Sequence, residues 1–354
     1  MKRLKTIPHS RPSLGREEKK ACARVLDSLH IAQGPRVEEF EHSFARSAGR
    51  KYGVAVSSGT AALAMVLKAL QLGHGRQVLI PSYTCAALLH ALDFTGARAV
   101  LADISAEDMN LCAVSARQNK TRKTAAMIVP HMFGRTADMR ALARLGFPLI
   151  EDGTQALGAQ AFKKPVGSFG EAGIFSFYAT KMMTTGEGGM IVTDSAKLAA
   201  GLRDMRDYDK KNDYGFRMNF KMTDLAAALG LEQLKKLPGF VLQRQETAGV
   251  YDAAFKNTPL FIPACSRERP SVYFRYVLRV PGGAAALLRH LNRQGIEAKS
   301  PVFKPLHSYA GFSDRHFPET ARALREACSL PIYPGLSAAK ARSVIREALR
   351  NTAI

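Results

Sequence analysis

One lysine in the middle of the chain has the surroundings that an amine needs in order to act as a nucleophile. Lys181 follows the aromatic run Gly173–Thr180 and precedes a glycine-rich segment, Thr184–Met190. An amine that is to form a Schiff base must be partly desolvated, because a fully solvated lysine stays protonated. The three glycines of the following segment would let the backbone approach a bound group closely. The alternative is a solvated turn lysine, and the apolar context favours the nucleophile.

Two adjacent carboxylates form a second candidate site. Glu151 and Asp152 come directly after the apolar pair Leu149-Ile150, and Gln155 lies three residues further on. Sheets of α/β proteins place their ligand sites at the C-terminal ends of strands. An acid in this place could bind a metal, act as a base or pair with a protonated ring nitrogen. An exposed strand-end acid without a function is the alternative.

A third segment combines a strand end, a small-residue turn and the start of a helix. It reads Val56-Ser57-Ser58-Gly59-Thr60-Ala61-Ala62-Leu63. Backbone N–H groups at a helix N-terminus, with the helix dipole behind them, form an anion site. Gly59 would let a phosphate approach, and the Thr60 hydroxyl could add a hydrogen bond. A plain Ser/Thr helix cap is the competing interpretation.

The elements that must position these residues alternate between strand and helix, which is typical of an α/β sheet. The predicted strands are Gly53–Val56, Gln77–Ile80, Ala97–Ala102, Ala125–Val129, Pro148–Glu151, Ala172–Phe177 and Gly189–Thr193. The predicted helices are Glu17–Leu29, Thr60–Leu70, Ala86–Thr95, Met139–Leu145 and Thr223–Lys236.

Near Pro238 the pattern changes, which predicts a second unit. A polar-faced helix at Gln243–Lys256 would connect to a smaller α+β unit containing a strand at Tyr273–Val280 and two late helices. We therefore expect a large domain at 1–242 and a small C-terminal domain at 243–354, with a cleft between them. The N-terminal segment could pack with the small domain.

The composition argues against export and membrane insertion. No run approaches the ~18 uninterrupted apolar residues of a membrane span, and the basic stretch Met1–His9 has no apolar run behind it, as a signal peptide would. The five cysteines are scattered and never spaced as C-x-x-C. This spacing argues against a disulfide framework or a zinc site. We expect a cytoplasmic protein without a metal.

The charge of +21 over 354 residues is the unusual bulk property. It could reflect nucleic-acid binding, an anionic substrate or a basic solvated surface. No helix-turn-helix, finger or aromatic platform accompanies it, and many basic residues lie on ordinary amphipathic segments such as Ala339–Arg350. We therefore expect neither a nucleic-acid nor a membrane partner.

Taken in order, these segments resemble the DegT/DnrJ/EryC1/StrS family of sugar aminotransferases over nearly the whole chain. The motifs that carry the resemblance are Ser10-Arg11-Pro12, Ala32-Gln33-Gly34-Pro35, Ser58-Gly59-Thr60-Ala61-Ala62-Leu63, Pro81-Ser82-Tyr83-Thr84, Val129-Pro130-His131-Met132-Phe133-Gly134, Glu151-Asp152 with Gln155, Phe175-Ser176-Phe177 with Lys181, Gly186-Glu187-Gly188-Gly189 and Pro305-Leu306-His307. The resemblance implies the aspartate-aminotransferase fold (fold type I of pyridoxal-phosphate enzymes), with a mostly parallel central sheet.

The resemblance also implies roles at the cofactor. Lys181 would hold pyridoxal 5′-phosphate as a Schiff base and then move protons between the substrate carbon and the cofactor. Asp152 would pair with the pyridinium nitrogen, which keeps the ring an electron sink. Gln155 would contact the ring near its phenolic oxygen.

Further contacts follow from the same resemblance. The phosphate would be held by Gly59, Thr60, Ala61 and Ser176. Asn219 would reach the phosphate from a partner subunit, which implies a homodimer. His307 and Tyr83 are expected at the substrate, and His131 could make either a structural hydrogen bond or a substrate contact.

Three positions depart from the family pattern. Cys85 stands where an aromatic residue often stacks on the cofactor ring, and a sulfur covers less of the ring face. Met182 replaces a common asparagine after the lysine. Lys221 stands where arginine is more frequent, and the two cations are not equivalent in bidentate contacts.

The resulting prediction is a transaminase whose small-molecule substrates are an amino donor, glutamate or glutamine, and a keto sugar linked to a nucleotide. Two alternatives remain open. One is an enzyme of the same fold that acts on a cyclitol or a carbocyclic acid. The other is a non-catalytic binding or regulatory protein, against which Lys181, Asp152 and Gln155 argue.

Overall fold

A seven-stranded sheet forms the centre of the computed structural model, which describes residues 6–263 and 265–352. The strands, in chain order, are β1 (Tyr52–Val56), β2 (Gln77–Pro81), β3 (Arg98–Ala102), β4 (Thr124–Pro130), β5 (Leu149–Asp152), β6 (Gln160–Ala161), β7 (Lys164–Pro165), β8 (Ala172–Ser176), β9 (Gly189–Thr193), β10 (Tyr276–Arg279) and β11 (Ala327–Leu330). Residues 1–5 lie outside the described residues. They are the first part of the basic stretch Met1–His9, which was not expected to be a signal peptide.

The main sheet has the order β1-β9-β8-β5-β4-β2-β3. The pairs from β8 through β3 are parallel, and β9 runs antiparallel to both of its neighbours. Most strand residues are buried, as expected where helices cover both faces of a sheet. The predicted α/β class and the mostly parallel sheet are confirmed.

Helices cover the sheet and continue into a second unit. They are α1 (Arg16–Asp27), α2 (Pro35–Ser47), α3 (Gly59–Ala69), α4 (Ala87–Thr95), α5 (Ala113–Asn119), α6 (Met139–Ala143), α7 (Ala196–Met205), α8 (Asp224–Phe255), α9 (Ala285–Arg293), α10 (Leu306–Tyr309), α11 (Pro318–Glu326) and α12 (Ala338–Thr352). On one face α3, α4 and α7 pack on the sheet. On the other, α2 and the first half of α8 enclose a cluster of aromatic side chains around Phe44 and Phe177.

All seven strands predicted for the sheet are present, with ends that differ by at most one residue. The prediction of two separate helices around Pro238 was wrong, because α8 continues through this proline from Asp224 to Phe255. A proline inside a helix costs about 3 kcal/mol. Leu237 and Phe240 are both buried on either side of it, and this tertiary packing offsets the cost.

The C-terminal half of α8 packs into a further hydrophobic cluster around the antiparallel pair β10 and β11. The N-terminal segment belongs to it, since the Ile7 N–H donates to the Gly295 carbonyl at 2.8 Å and Ile7 is buried in the same cluster. The boundary predicted between residues 242 and 243 falls inside α8.

In the part of the chain that the structure describes, no helix has both the length and the apolar character needed to cross a membrane. The 32-residue α8 is long enough, but it carries charged residues that include Lys235, Lys236 and Arg244.

Candidate active site

A cavity of about 250 Å³ lies at the C-terminal edge of the sheet, where β1, β2, β5 and β8 end. It is lined by Ser58, Gly59, Thr60, Leu63, Thr84, Cys85, Ala87, Leu88, Asp152, Thr154, Gln155, Ile174, Ser176, Tyr178, Lys181 and Glu187. The parallel strands therefore bring together three segments that lie far apart in the chain and that were predicted to carry chemistry.

The amine of Lys181 lies in a desolvated part of this cavity. The residue is partly buried, and its Nζ lies 5.3 Å from the centre of the Phe274 ring. Burial lowers the pKa of the Lys181 amine below its usual value, against the opposing effect of the Asp152 charge, and the cation of Arg275 adds to the lowering. A larger fraction of neutral amine is the condition for nucleophilic attack.

Asp152 ends β5 and is 6% exposed. Its Oδ1 accepts the Thr154 N–H at 3.0 Å, and no donor within the described residues reaches its Oδ2. The carboxylate is thus held by the backbone while one oxygen remains available to a ligand. A buried carboxylate with an available oxygen suits a cationic ring nitrogen.

Gln155 is oriented by the turn that follows β4. Its Oε1 accepts the Phe133 N–H at 3.1 Å, which assigns the amide orientation and makes the Nε2 group the remaining donor. Because Gln155 lines the cavity, this donor suits an oxygen acceptor such as a phenolate.

The anion site predicted at the start of α3 is built on a helix cap. The Ser58 Oγ accepts the Ala61 N–H at 3.1 Å, and the N–H groups of Gly59 and Thr60 come first in the helix, where no preceding carbonyl satisfies them. A Cβ on Gly59 would lie 2.9 Å from the Cβ of Ser176. Glycine is therefore required for α3 to approach β8 and bring Ser176 to the same end of the cavity.

Ala61, which was predicted at the phosphate, is not among the cavity-lining residues. Its N–H is used inside the helix cap, and the residue is buried. A backbone that continues the first helical turn still contributes to the dipole at this end.

Beneath the cavity lies a buried network around Glu151, which points to the other face of β5 from its neighbour Asp152. Its carboxylate accepts hydrogen bonds from the Gly167 N–H at 2.9 Å, the Phe169 N–H and the Gly170 N–H at 3.1 Å. The His131 Nε2 lies 3.2 Å from the same carboxylate.

The proton on His131 is located by its second nitrogen. The Nδ1 accepts the Ala137 N–H at 3.1 Å, so the Nε2 carries the proton and donates to Glu151. Burial opposes ionisation of Glu151, but the hydrogen bonds from His131 and from backbone N–H groups outweigh it and hold the pKa of this carboxyl below its usual value. Of the two roles considered for His131, the structure supports the structural hydrogen bond.

Two predicted substrate residues lie in the core rather than at the cavity. Tyr83 is fully buried, and its hydroxyl donates to the Ala323 carbonyl at 3.3 Å. His307 is also fully buried; its Nδ1 lies 2.7 Å from the Ser82 Oγ, and its Nε2 lies 2.8 Å from the Asp314 carboxylate. Both ring nitrogens of His307 are therefore used inside the protein.

Asn219 is exposed and does not line the cavity of its own chain. It lies in the loop before α8, two residues before Lys221, whose Nζ is 2.7 Å from the Asp207 carboxylate. The prediction that Asn219 acts across a subunit interface needs this exposure.

The other two departures from the family pattern have different surroundings. Cys85 is exposed and lines the cavity. A thiol beside the cofactor ring stays a prediction. Met182 is 3% exposed and packs in the aromatic cluster beneath α2. An asparagine there would have to find hydrogen-bond partners in an apolar setting, which methionine does not require.

Several polar residues of the cavity were not singled out from the sequence. They are Ser58, Thr84, Thr154, Tyr178 and Glu187. Tyr178 and Glu187 lie inside segments that did stand out, within a few residues of Lys181. In the folded chain an isolated bridge between Tyr178 and Gly186 returns the backbone to the lysine, and the sequence gives no signal of this bridge.

These residues fit pyridoxal phosphate. The cavity offers an amine of lowered pKa, a buried carboxylate with an available oxygen, an amide donor and, at one end, a helix N-terminus that Gly59 allows to approach Ser176. The described residues contain no cluster of three or more His, Cys, Asp or Glu side chains able to hold a metal ion.

Replacing Glu151 with glutamine should destabilise the protein, although the two side chains have the same shape. Every group around this carboxylate is a hydrogen-bond donor. The amide NH₂ of glutamine would face these N–H groups, and some of them would lose their acceptor. We expect Glu151→Gln to lower the free energy of unfolding by about 2–4 kcal/mol in urea titrations. Glu107→Gln, on the exposed surface, is the control and should change it by less than about 0.5 kcal/mol. Equal stability of the two variants would contradict this account of Glu151.

Comparison with known proteins places the chain among sugar-modifying enzymes. The DegT/DnrJ/EryC1/StrS aminotransferase family matches residues 12–349. The spore coat polysaccharide biosynthesis protein SpsC of Bacillus subtilis is 33% identical, with 99% of this chain and 98% of SpsC covered. GDP-perosamine synthase of Escherichia coli O157:H7 is 32% identical, with 94% and 95% covered.

The solved structures agree with this placement. The aminotransferase TlmJ from Streptoalloteichus hindustanus superposes with a TM-score of 0.92 at 30% identity, covering 97% of this chain and 99% of TlmJ. The chain belongs to the DegT/DnrJ/EryC1/StrS aminotransferase family and is a transaminase that depends on pyridoxal phosphate.

Proposed function

We propose that this enzyme transfers an amino group from glutamate to the keto group of a nucleotide-linked sugar. The observation that carries the proposal is the convergence of Lys181, Asp152 and Gln155 on one cavity whose far end is a helix N-terminus. The similarity to GDP-perosamine synthase over almost the full length supports a nucleotide-linked acceptor.

The residues of the cavity divide the work by chemical type. Pyridoxal phosphate, when bound, supplies an electron sink for the negative charge that develops on the substrate carbon. Asp152 would hold the ring nitrogen, Gln155 the phenolic oxygen, and the start of α3 with Ser176 the phosphate. Lys181 would anchor the cofactor.

Proton movement falls to the same lysine. With the cofactor bound, the Lys181 Nζ would be the group that accepts the proton from the substrate carbon and later gives it back. The lowered pKa of this amine favours the neutral form that accepts a proton. Both half-reactions would use this one group.

The positive charge of the chain, +21, suits an acceptor that carries a pyrophosphate. It also suits other anionic substrates. The net charge alone therefore does not distinguish a nucleotide-linked sugar from another anionic acceptor.

The two half-reactions can be tested separately. We expect glutamate to convert the enzyme to its aminated form in a single turnover, and a nucleotide-linked keto sugar to discharge it at least about tenfold more efficiently than the free keto sugar or a keto cyclitol. Chromatography of the products, with Lys181→Ala as the inactive control, gives the measurement. Discharge by the keto cyclitol alone would replace the proposal with the cyclitol alternative.

We further propose that the active unit is a homodimer in which Asn219 reaches the partner's cavity. A groove of about 560 Å³ adjoins the site and shares Glu187 with it. Its lining includes Leu26, Leu225 and Leu229, and also Lys221, which follows Asn219 by two residues. An exposed apolar groove of this kind suits a second copy of the chain.

Mixing two inactive variants tests the shared site. If Asn219 acts on the partner, a hybrid of Lys181→Ala and Asn219→Ala chains contains one site with both residues intact. An equal mixture, refolded or exchanged together, should recover about one quarter of the wild-type activity, since half of the dimers are hybrids with one intact site. A mixture of Lys181→Ala with the Lys181→Ala/Asn219→Ala chain is the control and should stay inactive. No recovery in the test mixture would place Asn219 and Lys181 in the same chain's site.

Two further parts of the proposal concern organisation and location. We propose a large cofactor domain and a small C-terminal domain joined by the continuous helix α8. We also propose a cytoplasmic location, which the five free cysteines of the structure support because free thiols persist in reducing compartments.

A further inference from the structure

An arginine that no motif singled out contacts the same aromatic ring as the reactive lysine. Arg275 ends the segment that leads into β10, and its N–H donates to the Phe133 carbonyl at 3.3 Å. The Val272 N–H donates to the Gly134 carbonyl at 3.0 Å in the same segment. Since Phe133 also donates to Gln155, this pairing fixes the Arg275 backbone to the wall of the cavity.

The Lys181 amine and the Arg275 guanidinium both lie near one aromatic ring, that of Phe274. The Lys181 Nζ lies 5.3 Å from the centre of the Phe274 ring, and the Arg275 Cζ lies 5.4 Å from the same centre. The amine and the guanidinium are therefore no farther apart than these two distances added together. Phe274 is buried, so the ring that fixes this relation is itself held in place.

In the part of the chain that the structure describes, Arg275 forms no ion pair with an acid. Among the ion pairs of residues 6–263 and 265–352, none includes Arg275, although the residue is partly buried. By contrast, the buried Arg206 pairs with Glu41. Cations in partly buried places are normally paired, and an unpaired one beside a reaction centre fits an anionic ligand.

The electrostatics agree with the geometry. Burial lowers the pKa of Arg275, against the opposing effects of Tyr83 and Cys85. The positive charge of Arg275 in turn lowers the pKa of Lys181. A bound anion between the two would relieve both effects.

We propose that the Arg275 guanidinium binds a carboxylate of the amino donor and so selects amino acids as donors. The inference rests on the proposed function and deepens it. A guanidinium can give a carboxylate two parallel hydrogen bonds, which fixes the orientation of the donor as well as its position.

The donor suits this place better than the acceptor does. The α-carboxylate of an amino acid is bonded to the carbon that reacts, so it must lie close to Lys181 whenever the donor is in place. The pyrophosphate of a nucleotide-linked sugar is separated from its keto carbon by part of the sugar ring. Of the two substrates, only the donor must therefore carry a negative charge next to its reacting carbon, within reach of Arg275.

A dicarboxylate without an amine isolates this contact from the reaction. Glutarate has both carboxylates of glutamate and cannot transfer nitrogen, so its binding to the holoenzyme can be titrated by calorimetry. We expect Arg275→Leu to weaken glutarate binding about tenfold or more and Arg275→Lys to weaken it less. Lys299→Gln is the matched control. The charge of this exposed lysine, like that of Arg275, lowers the pKa of His9, but it is not among the charges that shift the pKa of Lys181. The Lys299→Gln variant should bind glutarate like the wild type.

Kinetics distinguish a donor contact from a general structural role. Arg275→Leu should lower kcat/KM for the glutamate half-reaction about tenfold or more and leave that of the acceptor half-reaction within about twofold. Unchanged glutarate binding, an equal loss in both half-reactions or a loss in the acceptor half alone would overturn the inference. Failure of wild-type enzyme to react with glutamate would instead count against the proposed function.

Discussion

An amine acts as a nucleophile near neutral pH only where water is withheld from it, and this constraint on Lys181 organises the site. Its neighbour Phe274 comes from the segment before β10, nearly a hundred residues later in the chain. The desolvated amine therefore depends on the contact between the central sheet and the C-terminal elements. The long helix α8 joins these parts without a break, and its Arg244 donates to the backbone carbonyls of Tyr273 and Phe274.

A second layer holds the floor of the site rigid. Two adjacent acids on β5 point to opposite faces, as strand geometry requires. Glu151 is held by backbone N–H groups and by His131, while Asp152 faces the cavity. The hydrogen bonds of Glu151 fix the end of the strand, and they thereby hold the backbone of Asp152 in place. Preorganisation of this kind is what an electrostatic contact to a cofactor ring needs.

Much of this could be predicted from the sequence, because the sheet strands are short apolar runs and the functional segments follow them directly. The family motifs located Lys181 and Asp152 at the cavity. The continuity of α8 through Pro238 could not be predicted, since tertiary packing overrides the local preference. His307 lies in a segment like that near the family's sugar pocket, yet its ring nitrogens are satisfied by Ser82 and Asp314. Arg275 was missed because only the folded chain brings it to Lys181.

The covalent role of Lys181 is the feature on which the proposed activity depends most directly. Borohydride reduction of the purified holoenzyme, followed by proteolysis and mass spectrometry, locates the lysine that carries the cofactor. We predict that the added mass of the phosphopyridoxyl group maps to the peptide containing Lys181 and that the Lys181→Ala variant yields no modified peptide. Modification of a different lysine, or equal labelling of the Lys181→Ala variant, would contradict the central claim.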